Sequence, residues 1–437
     1  MNNLDKHSLH HYWMPFTGNR DFLEAPRIIS RAKGIYLYDI DGNAILDGSS
    51  GLFCTPIGHC REEISHAVSQ QLNTLDYVAP FQSAHPLAFQ FATALTQLLP
   101  DPINHVFFSN SGSESIETAI KIAYAYHYAN GEGQRIRFAS RERAYHGVNM
   151  GGVSLSGMVK NRQAYGPGLP GIAHMRHTWQ AEQRFHRGQP DSGAERANDL
   201  ERIALTYGPD TIAACIVEPI AGSTGCLVPP QGYLERLREI CDTYGILLIF
   251  DEVITGFGRT GNAFAAETFG VTPDIMTMAK ALTNGAQPMG ATAVSDQIHA
   301  TIFNAAPEKA IELFHGYTYS AHPAACAAGL ACLEIYQNEN LFNKVAALSD
   351  YFLDAIYSLQ DIDTVLDIRG FGLFAGFDIK PASQPGARGL ALQKYLFHHG
   401  LNIKMTGDSG LIAPPFIIQE QEIDQLVTIL RQALEQV

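Results

Sequence analysis

A lysine and an aspartate in apolar surroundings are the residues of this chain best suited to chemistry. Lys280 lies in the segment PDIMTMAKALTNG, and Asp251 ends the apolar run GILLIF. An amine in apolar, glycine-punctuated surroundings can lose its charge and attack a carbonyl group to form a Schiff base. A carboxylate at the carboxyl end of a buried strand can contact a cofactor ring nitrogen. We therefore expect Lys280 and Asp251 to share one catalytic site.

A possible anion site lies in SNSGSESIETAIKIA, where Ser111, Gly112 and Ser113 follow the strand HVFF and open a predicted helix. Backbone N–H groups and hydroxyls at the amino terminus of a helix form a cup that suits a cofactor phosphate. The alternative is ordinary capping of the helix by Ser111 or Ser113.

Tyr145 and His146 stand in RAYHGVNMGG, between a predicted strand end and glycines that allow the backbone to approach a ligand closely. The aromatic ring of Tyr145 could stack on a flat heteroaromatic cofactor. The alternatives are a core tyrosine with a satisfied hydroxyl and a structural histidine.

Glu218 in VEP and Asp251 in DEV end two predicted neighbouring strands. Carboxylates at the carboxyl edge of a parallel sheet lie where ligands bind, whereas inside a strand they would be costly. An ionised Asp251 would keep a pyridine nitrogen protonated, so that the ring draws electrons from the substrate Cα. Glu218 would orient neighbouring groups or be purely structural. Together these residues predict a pyridoxal phosphate enzyme.

The elements that position these residues alternate between short apolar strands and longer helices. This pattern predicts an α/β fold, with a mostly parallel sheet covered by helices in a large domain over residues 56–315. A smaller α+β domain follows over 316–437, and an N-terminal segment, 1–55, is expected to pack with it. IYLYDIDGNAILDG predicts a hairpin across Asp-Gly, and residues 180–198 predict a surface excursion.

Composition excludes several classes of function. The formal net charge is −14, and no block rich in lysine and arginine appears, so we expect no nucleic-acid or membrane partner. The seven scattered cysteines include no CxxC pair, which predicts reduced thiols, no zinc site and a cytoplasmic location. The amino terminus lacks the apolar core of a signal peptide, and no apolar run has the length of a membrane span.

Five ordered motifs resemble those of one family. DEVITGFGRTG, the lysine of MAKALTNGAQPMGA, SGSES, YHG and HGYTYSAHPAACAAG together resemble the class III aminotransferases of the fold-type I pyridoxal phosphate superfamily. The likeness covers nearly the whole chain. YWMPFTGNRDF, QLNTLDYVAPFQSAHP and YGILLIFDEVITGFGR are most similar to the ω-amino acid:pyruvate, or β-alanine:pyruvate, aminotransferases.

The resemblance implies a role for each candidate. Lys280 would carry the cofactor and move the substrate proton. Asp251 would pair with the pyridinium nitrogen, Val253 and Tyr145 would pack on opposite faces of the ring, and Ser111–Ser113 would hold the phosphate. His146 and Glu218 belong to the same predicted cofactor site. Thr318 would reach the phosphate of a neighbouring subunit, which implies a homodimer or homotetramer with shared active sites.

The resemblance also implies a ping-pong reaction. An amine donor leaves as its aldehyde or ketone while the cofactor becomes pyridoxamine 5′-phosphate, and pyruvate then takes the amino group to give L-alanine. Trp13, Phe16 and Phe53 would line an apolar mouth for the substrate. Phe53 stands where the family's closest members carry tryptophan, and Lys404 where they carry a carboxylate-binding arginine. Lysine offers a point charge rather than a two-pronged contact, so Lys404 would bind a carboxylate or sulfonate or remain a solvated surface residue.

Several alternatives remain open from sequence. The donor could be a taurine-like sulfonate or a broad range of primary amines, and the acceptor could be 2-oxoglutarate. A fold-type I decarboxylase, racemase or aminomutase, or a non-catalytic binding protein on the same scaffold, would share much of the fold. Formation of alanine from pyruvate separates the aminotransferase from these last classes.

Overall fold

The computed structural model describes residues 6–437, and the first five residues of the predicted N-terminal segment lie outside this range. The strands in chain order are β1 (Ile29–Lys33), β2 (Tyr36–Asp39), β3 (Ala44–Asp47), β4 (Ile103–Ser109), β5 (Arg137–Arg141), β6 (Ile172–Met175), β7 (Ile212–Val217), β8 (Leu247–Asp251), β9 (Ile275–Met278), β10 (Gly290–Ser295), β11 (Val365–Phe371), β12 (Phe374–Ile379), β13 (Leu401–Asn402), β14 (Lys404–Thr406) and β15 (Ser409–Ile412).

Helices cover and connect these strands. In chain order they are α1 (Lys6–Leu9), α2 (Asn19–Glu24), α3 (Ser50–Phe53), α4 (Glu62–Thr74), α5 (Pro86–Thr96), α6 (Gly112–Ala129), α7 (Met150–Leu155), α8 (Val159–Arg162), α9 (Asn198–Tyr207), α10 (Tyr233–Tyr244), α11 (Ala265–Phe269), α12 (Asp296–Ala305), α13 (Pro323–Asn338), α14 (Leu341–Tyr357), α15 (Ala387–His398) and α16 (Glu420–Gln436).

The central sheet has seven strands in the order β4-β10-β9-β8-β7-β5-β6. β9, β8, β7, β5 and β6 pair in parallel, whereas β10 runs antiparallel to both β4 and β9. The carboxyl ends of six strands therefore meet at one edge of the sheet, and the predicted mostly parallel sheet is confirmed.

Both faces of this sheet are covered by helices. Along β8, Leu247 and Ile249 pack in the hydrophobic cluster that contains Ile116 of α6, while Leu248 and Phe250 pack in the larger cluster that contains Leu237 of α10. Side chains alternate between the two faces of a strand, so a strand apolar at every position is buried on both sides. Burial on both sides explains the continuous apolar runs from which the buried strands were predicted.

Two smaller sheets complete the fold. β1, β2 and β3 form an antiparallel meander, which includes the predicted hairpin, and β13 pairs in parallel with β3. β11, β12, β15 and β14 form an antiparallel sheet. The β3–β13 pairing joins the beginning of the chain to its C-terminal part. The division into domains, with boundaries at residues 55 and 315 and an N-terminal segment packed with the small domain, stays a prediction.

The predicted surface excursion contacts the C-terminal part of the chain. Asp367 of β11 accepts hydrogen bonds from Nε1 of Trp179 at 2.7 Å and from the backbone N–H of Phe185 at 2.6 Å. The hydroxyl of Tyr357 donates to the carbonyl of His186 at 2.6 Å. We call residues 179–186, which make these contacts, the strap. The strap is hydrogen-bonded to the region predicted as the small domain and is not a free loop.

Two further observations concern the described part of the chain. Within residues 6–437, no helix combines the length and the apolarity needed to cross a bilayer. All seven cysteines are free thiols, and five of them are buried.

Candidate active site

Five segments that follow strands of the central sheet meet at its carboxyl edge. They surround a cavity of about 130 Å³. The cavity is lined by Ser111, Gly112, Ser113, Ile116, Tyr145, His146, Gly147, Glu218, Ile220, Asp251, Val253, Ile254, Ala279 and Lys280. All nine residues predicted to bind the cofactor within one subunit therefore lie around a single cavity.

Asp251, the last residue of β8, is 6 % exposed and is held by several donors. One carboxylate oxygen lies 2.8 Å from Nδ1 of His146, and the other accepts from Oγ1 of Thr277 at 3.3 Å and from the N–H of Val253 at 3.2 Å. The contact with Asp251 fixes a proton on Nδ1 of His146, because a carboxylate only accepts. These contacts orient the carboxylate toward the cavity.

His146 is 1 % exposed, and its Nε2 is buried without a hydrogen-bond partner among the described residues. A buried polar atom without a partner is costly, and such atoms are rare in folded proteins. The contact with Asp251 places His146 at the site, whereas the sequence also allowed a purely structural histidine.

Glu218 has a structural role as well as a place in the cavity wall. Its carboxylate accepts from the N–H of Tyr145 at 2.9 Å and from the N–H of Gly222 at 2.8 Å. Burial raises the pKa of Glu218, and the nearby charge of Asp251 raises it further, while His146 opposes the shift. The contact with Tyr145 fixes the backbone that carries this ring, so the expected orienting role of Glu218 is the one that the contacts support.

Lys280 follows β9 in a 3-10 turn, Lys280–Thr283, and has the unusual positive φ of 52°. Removal of its amine from bulk water lowers the pKa of Lys280, while the charges of Cys54, Asp251 and Glu218 partly oppose this shift. The neutral amine is the form that attacks a carbonyl carbon.

The amino terminus of α6 forms the opposite wall of the cavity. Oγ of Ser111 accepts from the N–H of Glu114 at 3.2 Å, so Ser111 caps the helix as the alternative interpretation proposed. Oγ of Ser113 accepts from the N–H of Val148 at 3.1 Å. The cap and the anion cup are compatible, because capping uses the serine oxygen and leaves backbone N–H groups of the first turn available.

Two glycines keep this wall open. A Cβ on Gly112 would lie 3.0 Å from Cγ1 of Val253, and a Cβ on Gly147 would lie 2.5 Å from Oγ of Ser113. Gly147 also has φ of 90°, which side chains disfavour. The two glycines therefore allow Val253 and Ser113 to pack closely against the backbone that lines the cavity.

The predicted substrate residues differ in burial: Phe53 is buried and Lys404 is partly buried, whereas Trp13 and Phe16 are exposed. Phe53 is 3 % exposed, and the amine of Lys280 lies 5.4 Å from the centre of its ring. Lys404 is partly buried, and burial together with the charge of Lys280 lowers its pKa. Phe53 therefore lies beside the amine of Lys280, although neither Phe53 nor Lys404 is among the residues that line the cavity.

Trp13 and Phe16 are 90 % and 77 % exposed and do not line the cavity. Thr318 is also exposed; its carbonyl accepts from the hydroxyl of Tyr77 at 3.0 Å, and it is not among the residues around the cavity. The substrate roles of Trp13 and Phe16, and the phosphate contact of Thr318, stay predictions.

Sequence reasoning missed two residues near the cavity. Thr277 contacts Asp251, and a threonine inside the apolar strand IMTM was the available signal. Cys54, next to Phe53 in the chain, influences the pKa of Lys280, and no feature of the sequence GLFCTP indicated that influence.

Comparisons with known proteins identify relatives along the whole chain. A family profile described as aminotransferase class-III matches residues 17–434. An omega-aminotransferase of Caulobacter vibrioides is 50 % identical over 98 % of this chain and 97 % of its own length. A beta-alanine–pyruvate aminotransferase of Pseudomonas aeruginosa is 47 % identical over 98 % and 96 %. An omega transaminase structure from Pseudomonas jessenii, in complex with PMP, superposes with a TM-score of 0.94 at 33 % identity, covering 99 % of this chain and 98 % of that chain.

Proposed function

The chain belongs to the class III aminotransferases, which depend on pyridoxal phosphate, and we propose that it transfers the amino group of an ω-amino acid or another primary amine to pyruvate. The products would be an aldehyde or ketone and L-alanine. The observation that carries the proposal is the meeting of Lys280, Asp251 and the amino terminus of α6 around one cavity. The substrate names of the relatives at 45 % to 50 % identity support this choice of donor and acceptor.

The residues around the cavity fit the cofactor by their chemistry. A lysine amine, a carboxylate fixed by three donors and a helix amino terminus match its aldehyde, ring nitrogen and phosphate in turn. Lys280 would hold it covalently, Asp251 would contact the ring nitrogen, and Ser111–Ser113 would bind the phosphate. Val253 and Tyr145 would enclose the ring. When bound, pyridoxal phosphate supplies an aldehyde for the donor amine and a ring that withdraws electrons from the carbon that loses its proton.

The protein groups have distinct tasks in this proposal. Nζ of Lys280, whose pKa is lowered by desolvation, would in its neutral form accept the proton from the donor carbon and deliver it in the second part of the reaction. The carboxylate of Asp251 keeps a proton on the ring nitrogen, and His146 orients that carboxylate through its 2.8 Å contact. The apolar side chains of Ile220, Val253 and Ile254 exclude water from the same cavity.

Lys404 and Phe53 are the proposed specificity residues. A positive charge near Lys280 favours a donor whose carboxylate lies at a distance from its amine, and Phe53 provides an apolar wall. Trp13 and Phe16 would extend this wall at the entrance.

We further propose a homodimer, or a tetramer built from dimers, with active sites shared between subunits. The exposed Thr318 lies in a surface region with Phe314, which is 87 % exposed, and Tyr319, which is 59 % exposed. Large exposed aromatic side chains in one surface region favour contact with another protein surface. The free thiols support the proposal of a cytoplasmic location.

Absorption spectroscopy of the cofactor-loaded protein tests the proposed function. Addition of β-alanine alone should convert the visible cofactor band into the near-ultraviolet pyridoxamine band, and pyruvate should restore it. Lys280→Ala should abolish the change, because the amine that moves the proton is lost. Restoration by 2-oxoglutarate but not by pyruvate would contradict the proposed acceptor.

A substitution of Lys404 distinguishes donors that carry a carboxylate from uncharged primary amines. Lys404→Gln should raise the KM of β-alanine by about tenfold, which corresponds to 1.4 kcal/mol, and leave the KM of an uncharged primary amine within about twofold. An equal effect on both donors would mean that Lys404 does not bind the donor carboxylate.

A further inference from the structure

Asp47 is a fully buried carboxylate next to the active site that the proposed chemistry does not use. Its exposed fraction is 0 %, and it is not among the residues that line the cavity. It lies 2.8 Å from Nε2 of His59 and accepts hydrogen bonds from the backbone N–H groups of Ser49 and Gly51 and from Nδ2 of Asn402. A buried carboxylate is costly unless it is paired and hydrogen-bonded, so these contacts define one well-fixed position.

The turn that Asp47 holds has an unusual backbone. φ is 48° at Ser50, 68° at Gly51 and 62° at Phe53. Residues other than glycine rarely adopt positive φ, and such conformations persist only where surrounding contacts impose them. The N–H groups of Ser49 and Gly51 both donate to the carboxylate of Asp47, so this carboxylate is a principal constraint on the backbone of the turn.

This turn carries an aromatic ring to the reactive amine. The ring of Phe53 has its centre 5.4 Å from Nζ of Lys280 and packs edge-on against Phe374 at 5.6 Å. Because Phe53 lies two residues after Gly51, in the same turn, its ring position depends on the backbone conformation that Asp47 maintains.

Asp47 also fixes a second wall of the same region. Asn402 pairs with Asp47 in the parallel register of β3 and β13, and its side-chain amide lies 3.3 Å from the carboxylate. Two residues later, β14 begins with the partly buried Lys404, the residue that the sequence predicts to meet the substrate carboxylate. One carboxylate therefore connects the segments that carry Phe53 and Lys404.

We propose that Asp47 is a positioning residue for the amino donor, acting through Phe53 and Lys404 and taking no part in proton transfer. This inference rests on the proposed function, since it assigns the walls of the donor site. It predicts that loss of the Asp47 charge weakens substrate binding and leaves the proton-transferring groups in place.

Asp47→Asn in the cofactor-loaded protein is the test, because asparagine keeps the size of the side chain and removes its charge. The KM of β-alanine should rise about tenfold or more, with kcat within about threefold of wild type. The dissociation constant of 3-hydroxypropionate, which lacks the amine and cannot react, should rise by a similar factor in calorimetry. The visible cofactor band should be retained. A fall in kcat with unchanged KM and unchanged 3-hydroxypropionate affinity would overturn the proposal.

A double-mutant cycle tests whether Asp47 acts through Phe53. With an uncharged primary amine as donor, Lys404 contributes little, so Asp47→Asn should change KM by less than about twofold in a Phe53→Leu background. An equal factor in both backgrounds would show that the two residues act independently and would contradict the inference. If Asp47→Asn fails to fold, Asn402→Ser removes one of its contacts and should give a smaller rise in KM.

Asp367→Asn is the matched control for general destabilisation. Asp367 is also buried, at 1 % exposure; it pairs with Arg369 and Trp179 and is not among the residues that line the cavity. This control should lower the unfolding temperature and leave KM unchanged; an equal rise in KM in both carboxylate variants would refute positioning. Wild-type protein that forms no alanine from pyruvate with either donor would instead count against the proposed function and leave the binding measurement to decide the role of Asp47.

Discussion

At the scale of single residues, the site combines a stabilised carboxylate with a destabilised ammonium group. Asp251 is buried but receives hydrogen bonds or contacts from His146, Thr277 and Val253. Lys280 lies in the same cavity, where desolvation disfavours its charged form. Disfavouring the charge of this lysine costs folding stability, as is common at functional sites.

This cost should appear as a pH dependence of the cofactor-free protein. Because the folded state lowers the pKa of Lys280, the unfolded state binds more protons below the ordinary lysine pKa, and stability rises with pH in that window. We expect Lys280→Met to increase the free energy of unfolding at pH 7, because it removes a charge that burial disfavours.

Denaturant titrations of wild-type and Lys280→Met proteins from pH 7 to pH 10 measure this difference. The gap should narrow as the pH rises toward 10, because both states of the wild type then lose the lysine proton. A gap that is constant over this range would show that the gain comes from packing of methionine rather than from removal of the charge.

At the scale of elements, α6 has two tasks at its amino terminus. Ser111 caps the helix, and the same turn faces the cavity between Val253 and Gly147. The observed cap therefore does not exclude the proposed cofactor contact, because one helix start can do both.

Paired substitutions should separate these tasks. Ser111→Ala and Ser295→Ala each remove an N-cap hydroxyl, the second from α12, where Ser295 accepts from the N–H of Ile298. Both should lower stability by about 1 kcal/mol. Only Ser111→Ala should weaken binding of pyridoxal phosphate, by about tenfold, in a titration of the cofactor-free protein. Equal affinity in the two variants would remove Ser111 from the phosphate site.

The elements also show which parts of the site were predictable from sequence. Asp251 ends a strand of the central sheet, and Glu218 and Lys280 come after two others. The strand pattern was readable because these strands are apolar on both faces. Asp47 was read only as the end of a hairpin. Its partners, His59 and Asn402, are fixed by tertiary pairing, which no local periodicity encodes.

At the scale of the whole molecule, distant parts of the chain are fastened to one another. Arg259, 2 % exposed, donates to the carbonyls of Leu373 and Pro414 at 3.1 and 2.7 Å and to Oγ of Ser50. Together with the strap at Trp179, these contacts tie the central sheet to both ends of the chain. Contacts of this kind do not assign Trp13 and Phe16 to the substrate site. Their rings are exposed, and their surroundings depend on the protein surface that covers the N-terminal segment.

Sharing of active sites between subunits predicts complementation. Lys280→Ala and Thr318→Ala proteins should each be impaired, but a mixed dimer should contain one site with both native residues. Co-refolded or co-expressed mixtures, separated by different affinity tags, should then recover up to about half of the wild-type activity per dimer. If Thr318 serves its own subunit, the mixed dimer would be no more active than the Thr318→Ala protein.

The pairing of β3 with β13 has a consequence for biosynthesis. The carboxylate of Asp47 and the amide of Asn402 are 355 residues apart in sequence, so at about 5–20 residues per second the first partner waits roughly 20–70 s on the ribosome for the second. During that interval β3 has an open edge, which can pair with other nascent chains. The wall that contains Phe53 is completed only after translation has nearly ended, so a chain released early would hold Lys280 and Asp251 and still lack a finished donor site.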